Sequence, residues 1–341
     1  MSYTDYTFFL ITLLCGWLGL TGITLASETQ IDLSRDCFEC HEEFEHDTFE
    51  TMAEDVCGAC HRGALTQKLA LQSVAESEKT LPSLKSGQQI PGMTLPLLNS
   101  TSRLGEQPNE MVQIPAGEFT IGTNDRLPDE GPKHLVTLPA FYIDRYEVTN
   151  LQYQHFIDAT RHRSPSHFSN RQHPVERADH PVNYVSWSDA QAYCEWAGKR
   201  LPSNEEWEKA ARGTDERTYP WGNTFAIEHA NTSMLWKSIK HNGDTTPVGA
   251  FPSRVSPYGA YDMAGNLWEW TSSNYAPYPG NDTPTESYKS HYKTLKGGSW
   301  WDCSFYQCGI SAPVFNRSFF SPKMRNETIG FRCAKDSVEG K

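Results

Sequence analysis

Two copies of one pentapeptide, C-x-x-C-H, begin twenty residues apart near the start of the 341-residue chain. Two thiols three positions apart on a helical turn can both add to the vinyl groups of one haem, and the histidine that follows can bind the iron from the same side. The six motif residues are Cys37, Cys40, His41, Cys57, Cys60 and His61. The spacing predicts two covalently bound c-type haems, with His41 and His61 as iron ligands.

Two other uses of the four cysteines stay open. Four thiols in two pairs can hold one structural zinc ion, although zinc does not require a histidine after each pair. Two disulfides would also suit a small exported segment. A thioredoxin-like redox motif is disfavoured because it needs a βαβ setting, which this stretch lacks.

Four residues between the two motifs recur at helical spacing and give one apolar face that also carries an imidazole. They are His46, Phe49, Ala53 and Val56. We take His46 as the first candidate for a distal iron ligand and Met52 as the second. Because so short a segment cannot build a hydrophobic core alone, the haems would form the core of a mostly helical cytochrome segment over residues 27–62.

Residues 27–62 are strongly acidic, with eleven Asp and Glu residues against Arg35 and Arg62, which gives −9 of the whole-chain charge of −12. A solvated acidic face would keep an exported segment soluble. The same charge would also steer a basic redox partner, such as another cytochrome in an exported or membrane-associated assembly. Nucleic acid is excluded as a partner, because it would be repelled by this charge.

An apolar stretch without charge, residues 7–26, precedes the acidic segment. It can be a signal peptide cut after Ala26 or an uncleaved membrane anchor. The usual positive residues before the apolar run are absent, since Asp5 is the only charged residue there. Both interpretations predict a periplasmic or extracellular protein, in an oxidising compartment that suits covalent haem attachment.

The remainder of the chain holds an amphipathic helix, a Pro-rich linker or strap, and a loop-rich α+β domain. In that domain one helix opens at Ser186 or Ser188. Another opens at Ser203, with Glu206 completing a capping box. Short strands are expected over LVTLPAFYIDRYEVT. We therefore divide the chain into five parts: the export segment (1–26), the cytochrome segment (27–62), the helix and linker (63–110), the α+β domain (111–335) and a short tail (336–341).

Seven segments follow in a recognisable order, MVQIPAGEFTIGT, FYIDRYEVTNLQYQHF, PVNYVSWSDAQAYCEWAGKRLPSNEEWEKAARG, YPWGN, PVGAFPSRVSPYGAYDMAGNLWEW, KGGSWW and IGFRCA. Together they resemble the formylglycine-generating enzyme (sulfatase-modifying factor) family over residues 111–335. The resemblance implies that family's variant of the C-type-lectin fold, which has little regular structure and is held by calcium and disulfides. The N-terminal third of the chain is not part of the resemblance.

The resemblance also implies calcium ligands and a disulfide. A family loop of Asp or Asn, two residues, then Gly-Asn-x-Trp-Glu binds calcium through its end side chains and two carbonyls, and such oxygen ligands suit this hard cation. Here the loop falls on Asp262, Gly265, Leu267 and Glu269. A second family site would use Asn231, the Thr232 carbonyl and Asp244, although the spacing departs from the family pattern. One or two calcium ions and a Cys194–Cys333 disulfide are therefore expected.

The family's enzymes bind copper through two cysteines in G-G-S-Y-x-C-x4-C, followed by an Arg-rich stretch. In GGSWWDCSFYQC, Cys303 and Cys308 keep that mutual spacing but sit one residue late, and the Arg-rich stretch is absent. Two thiolates suit Cu(I), yet proteins with this fold can lack the activity because function depends on the site. We interpret Cys303 and Cys308 as a disulfide or structural pair.

These observations predict an exported dihaem electron carrier whose lectin-like domain is non-catalytic and docks it in a larger redox assembly. Two alternatives stay open: a copper-dependent oxidase of the formylglycine-generating type, and a glycan- or peptide-binding module. The electron carrier is favoured because the haem motifs alone have a complete set of protein-supplied attachment residues.

Overall fold

The computed structural model describes residues 90–93, 109–252, 254–283, 286–301 and 311–337. All of them belong to one compact unit of the chain, Thr51–Lys341. The export segment, both C-x-x-C-H motifs and the amphipathic helix expected after them lie outside the described residues, as do Cys303 and Cys308. Within the described ranges, no helix is long and apolar enough to cross a bilayer.

The described strands are short and form three small sheets. Strands β1 (Met111–Ile114), β4 (Phe141–Asp144) and β9 (Ala334–Asp336) make one antiparallel sheet in the order β1-β4-β9. Strands β2 (Gly117–Ile121) and β3 (His134–Leu138) pair with each other. The third sheet consists of β5 (Trp268–Asn274), β6 (Lys293–Lys296), β7 (Ser318–Phe320) and β8 (Ile329–Gly330). Its strand order is β7-β6-β5-β8, and β8 is parallel to β5. The expected strands in LVTLPAFYIDRYEVT are thus β3 and β4.

The α-helices of the described residues are α1 (Asn150–Thr160), α2 (Trp187–Trp196), α3 (Asn204–Arg212) and α4 (Ser233–Ser238). The first three open with a capping box, in which a Ser or Thr hydroxyl accepts the N–H three residues on and that residue's side chain binds back. Ser186 caps α2 and Ser203 caps α3, so both expected helices are confirmed. Ser188 lies inside α2 instead.

Two aromatic cores hold these elements together. In one, Tyr153 of α1 and Tyr193 of α2 stack at 5.8 Å and pack with Phe331 and Trp270. In the other, Trp207 of α3 packs against the β1-β4-β9 sheet. Large aromatic side chains bury much apolar area, so a chain with few long elements can still form a stable domain. The expected α+β class is confirmed.

The disulfide between Cys194 and Cys333 is also confirmed. It joins α2 to the residue before β9, with 5.7 Å between the Cα atoms, and both cysteines are fully buried. The two residues are 139 positions apart. A crosslink that closes so long a loop restricts the unfolded chain and thereby stabilises the fold.

Candidate functional site

The loop expected to bind calcium runs from Asp262 to the start of β5. Asp262, Gly265 and Asn266 have left-handed backbone, with φ of 56°, 84° and 62°, so the chain turns sharply here. Glycine is required at position 265 because an added Cβ would lie 2.2 Å from the Asn231 carbonyl oxygen. The loop is therefore packed directly against the segment that carries Asn231.

Glu269, the last side chain of this loop, is fully buried in β5. The Arg332 guanidinium donates to both of its carboxylate oxygens at 2.7 Å, and Trp207 Nε1 donates to Oε2 at 2.8 Å. Arg332 is fully buried too, and it also donates to the Tyr261 carbonyl at 2.8 Å. A buried ion pair needs such extra hydrogen bonds to offset the loss of water. They fix Glu269 rigidly at the end of the loop.

Glu147 is a further carboxylate under the loop that the sequence motifs do not assign. It is fully buried, its Oε1 accepts the Leu267 N–H at 3.1 Å, and its Oε2 accepts the Asn266 Nδ2–H at 2.6 Å. Glu147 thereby holds both the backbone and a side chain of the loop. Its signal in the sequence is an acidic residue inside the largely apolar and aromatic segment FYIDRYEVT.

When all are ionised, the three carboxylates Glu147, Asp262 and Glu269 carry more charge than the guanidinium of Arg332 can offset. Burial raises the pKa of Glu147 well above its usual range, and the charges of Asp262 and Glu269 raise it further. Burial also raises the pKa of Asp262, to about 6. When all three are ionised, their −3 against the +1 of Arg332 leaves −2. A divalent cation would offset this remainder.

Oxygen atoms of the loop remain open to such a cation. Asp262 Oδ2 accepts the Gly249 N–H at 2.6 Å, whereas Asp262 Oδ1 and the Gly265 carbonyl accept no hydrogen bond from the described residues. Both are ligands that Ca²⁺ prefers. No three His, Cys, Asp or Glu side chains in the described ranges are grouped to hold a metal, so the carbonyls would have to contribute. Of the expected ligands in the first loop, Asp262 Oδ1 and the Gly265 carbonyl are open to calcium, whereas both oxygens of Glu269 are engaged by Arg332 and Trp207.

The second expected set of calcium ligands does not fit, because protein donors already occupy its oxygens. Trp236 Nε1 donates to Asn231 Oδ1 at 2.5 Å. The Thr232 carbonyl accepts two backbone N–H groups of α4. Both carboxylate oxygens of Asp244 accept hydrogen bonds from Arg177. Sequence motifs alone do not show these competing donors.

The segments on either side of Cys303 and Cys308 contact each other. Trp301 is the described residue before the Cys303–Cys308 segment, and Ser311 is the described residue after it. An added Cβ at Gly298 would lie 2.4 Å from Ser311 Oγ, so the two flanking segments are in contact. Two thiols in the short span between them are a donor set that suits Cu(I).

The haem ligands stay predictions. Both pentapeptides, and the distal candidates His46 and Met52, lie outside the described residues. The structure therefore supports neither the haem-wrapped segment nor its alternatives.

The sequence and the fold of the large domain match a known protein family. The model of the Sulfatase-modifying factor enzyme 1-like domain matches residues 98–337, and the chain belongs to this family. The formylglycine-generating enzyme of Bos taurus is 32% identical over 291 residues, covering 68% of this chain and 76% of the relative. Inactive C-alpha-formylglycine-generating enzyme 2 of Bos taurus is 34% identical over 276 residues, covering 66% and 87%. The structure of PvdO from Pseudomonas aeruginosa aligns with a TM-score of 0.55 and 30% identity, covering 67% of this chain and 95% of PvdO.

These relationships correct the expected function. The prediction of an electron carrier with a non-catalytic docking domain is wrong, because two-thirds of the chain is homologous to a protein named as an enzyme. The expectation that the protein is not an enzyme is disfavoured for the same reason, although an equally similar relative is named as inactive. The prediction gave most weight to a 36-residue segment, whereas the large domain carries the family relationship.

Proposed function

We propose that this chain is a copper-dependent oxidase of the formylglycine-generating type, with Cys303 and Cys308 as copper ligands. The observation that carries the proposal is membership of the Sulfatase-modifying factor enzyme 1-like family, combined with two cysteines five positions apart after KGGSWW. Thiolate ligands favour Cu(I) over harder cations. The haem motifs take no part in this proposal.

The proposed substrate is a cysteine residue in a peptide. Loss of two electrons and two protons from its H–C–S–H unit forms a C=S bond. Water then replaces the sulfur, which gives an aldehyde and releases hydrogen sulfide. Dioxygen takes up the two electrons and two protons and leaves as hydrogen peroxide, so atoms and electrons balance. Bound copper would supply the place at which dioxygen is reduced.

The residues before the two cysteines give the proposed site a rigid support. Ser299 is fully buried, and its hydroxyl donates to the Trp301 carbonyl at 2.6 Å. Trp300 packs against the cluster that contains Trp236 and Phe251, while Trp301 remains 43% exposed. These contacts order the chain as far as Trp301, two residues before the first of the proposed ligands. An exposed tryptophan beside them offers an apolar surface to a peptide.

We also propose one calcium ion in the first loop, with a structural role. The Gly265 N–H donates to the Gly297 carbonyl at 2.7 Å, and the Trp300 N–H donates to the Asn266 carbonyl at 3.0 Å. The calcium loop is therefore bonded to the chain that leads to Cys303. A cation that orders this loop would stabilise the support of the copper ligands as well.

Copper content and peptide oxidation, measured in one preparation, test the proposal. We expect about one copper per chain by elemental analysis in the presence of a reductant, because a two-thiolate site needs reduced cysteines. Mass spectrometry should show conversion of a cysteine-containing peptide to the aldehyde. Cys303→Ser and Cys308→Ser should each lose both copper and conversion.

The double variant Cys37→Ser, Cys40→Ser serves as the matched control, since it removes two thiols elsewhere in the chain. It should retain copper and conversion. A wild-type protein that binds no copper in the presence of the reductant would end the proposal.

A further inference from the structure

Asp244, a calcium ligand by family resemblance, is neutralised within the protein. Its two oxygens accept hydrogen bonds from Nη1 and Nη2 of Arg177, and the Thr245 N–H donates to Oδ1 at 2.7 Å. A bidentate guanidinium–carboxylate pair is among the stronger charge-assisted contacts. The charge that would attract a cation to Asp244 is therefore already offset.

The neighbouring oxygens are also committed. Asn231 is 2% exposed, its Oδ1 accepts the indole N–H of Trp236, and its Nδ2 donates to the Asp244 carbonyl at 2.8 Å. The Thr232 carbonyl accepts the N–H groups of Leu235 and Trp236 at 3.0 and 3.3 Å. A cation at these atoms would compete with the buried N–H groups that they already accept.

Arg177 is anchored from its own side of the pair. Its carbonyl accepts the Asn150 Nδ2–H at 2.9 Å, at the start of α1. Three residues later, His180 Nδ1 shares a hydrogen bond of 2.8 Å with Thr245 Oγ1. The Asp244 segment is thus joined to the α1 region by protein groups alone.

We infer that Arg177 replaces a second calcium ion in this chain. The guanidinium supplies the positive charge and the crosslink that a cation would otherwise give to Asp244, and the protein binds a single calcium ion, in the first loop. The inference extends the calcium part of the proposed function and is independent of the copper chemistry. Chelation should then loosen residues 262–269 more than residues 231–246.

The charge balance of the two loops explains the difference between them. Three carboxylates share one guanidinium around Glu269, whereas one carboxylate has its own guanidinium at Asp244. A divalent ion would relieve repulsion in the first loop. In the second it would compete with a guanidinium that already pairs with the carboxylate, where both side chains are more than a third exposed.

Calcium stoichiometry tests the inference on the purified full chain. After equilibration with calcium and gel filtration, elemental analysis should find one ion per chain in the wild type and in Asp244→Asn, and none in Asp262→Asn. Two ions in the wild type, falling to one in Asp244→Asn, would overturn it.

Hydrogen exchange with and without EGTA gives a test that needs no variant. Exchange should rise more across residues 262–269 than across 231–246, which contact that loop through Asn231 and Thr246, and a larger rise across 231–246 would overturn the inference. If the wild type binds no calcium, the first-loop proposal fails separately. The variant Arg177→Met then tests whether Arg177 holds the Asp244 segment in place of calcium. Hydrogen exchange across residues 231–246 must rise in this variant, and unchanged exchange would refute the inference.

Discussion

At the scale of single residues, two buried clusters of charge differ in sign. Glu208 is fully buried and accepts hydrogen bonds from Lys296 at 2.9 Å and Arg212 at 3.1 Å, so two cations share one carboxylate. Around Glu147 and Glu269 the carboxylates outnumber the guanidinium. A buried charge without a partner costs several kcal/mol. Of these two clusters, only the second therefore has a use for a bound cation.

Replacing Glu147 should weaken both the fold and the calcium loop. Glu147→Ala leaves the Leu267 N–H and the Asn266 amide without an acceptor, at about 1–3 kcal/mol for each buried group. Relief of repulsion with Asp262 offsets part of this, so we expect a loss of about 2–4 kcal/mol in the free energy of unfolding. Urea unfolding measures it. The exposed Glu118→Ala should change stability by less than about 0.5 kcal/mol, and equal effects in the two variants would contradict the role of Glu147.

His167 predicts a dependence of stability on pH. Burial lowers its pKa to about 4, with smaller contributions from Arg177 and His173. The unfolded chain binds a proton near pH 6.5, whereas the folded chain does not until about pH 4. The contribution of this histidine is therefore complete above pH 6.5 and is lost as the pH falls from 6.5 to 4.

His167 Nε2 donates to Asn150 Oδ1 at 3.0 Å. Urea unfolding at several pH values checks the sign against His167→Gln, whose amide can still donate to Asn150. The variant should lose less stability than the wild type between pH 6.5 and 4. Parallel curves would show that His167 does not titrate in that way.

At the scale of elements, the sequence predicts those helices whose starts are determined by contacts between residues close in the chain. The capping serines predict α2 and α3 because a hydroxyl that accepts an N–H three residues on is a short-range contact. Helix α1 carries the same signal in Thr149 and Gln152, and reading it would have added that helix. Contacts such as Glu147 with Leu267, 120 residues apart, have no local signal. For that reason the motifs give the proposed calcium ligands but neither the carboxylate beneath them nor Arg177.

The start of α2 offers a matched pair of serines. Ser186 Oγ accepts the Asp189 N–H at 3.2 Å and donates to Asp189 Oδ2 at 2.7 Å, whereas Ser188 is exposed. Ser186→Ala should lower the free energy of unfolding by about 1–2 kcal/mol. Ser188→Ala should change it by less than about 0.5 kcal/mol. Chemical denaturation of both variants tests whether Ser186 caps α2. A larger loss of unfolding free energy in Ser188→Ala than in Ser186→Ala would contradict that assignment.

At the scale of the whole molecule, the family domain and the N-terminal segment are separate in sequence. The family match begins at residue 98, well after the second C-x-x-C-H motif. The proposed copper ligands and calcium loop all fall inside the matched range. Both C-x-x-C-H motifs can therefore be altered without changing a residue of the matched range.

Haem content is the prediction that belongs to this scale. Each pentapeptide supplies two thiols and one imidazole, which is the attachment set of one c-type haem. Protein produced in a host that attaches c-type haem should give a pyridine haemochrome spectrum of two haems per chain, retained after acid-acetone extraction. Cys57→Ala with Cys60→Ala should leave one haem, while copper content and peptide conversion stay at the wild-type level, because residues 98–337 are unchanged. Zinc in place of haem would refute the attachment, and a loss of conversion along with the haem would show that the two parts of the chain act as one unit.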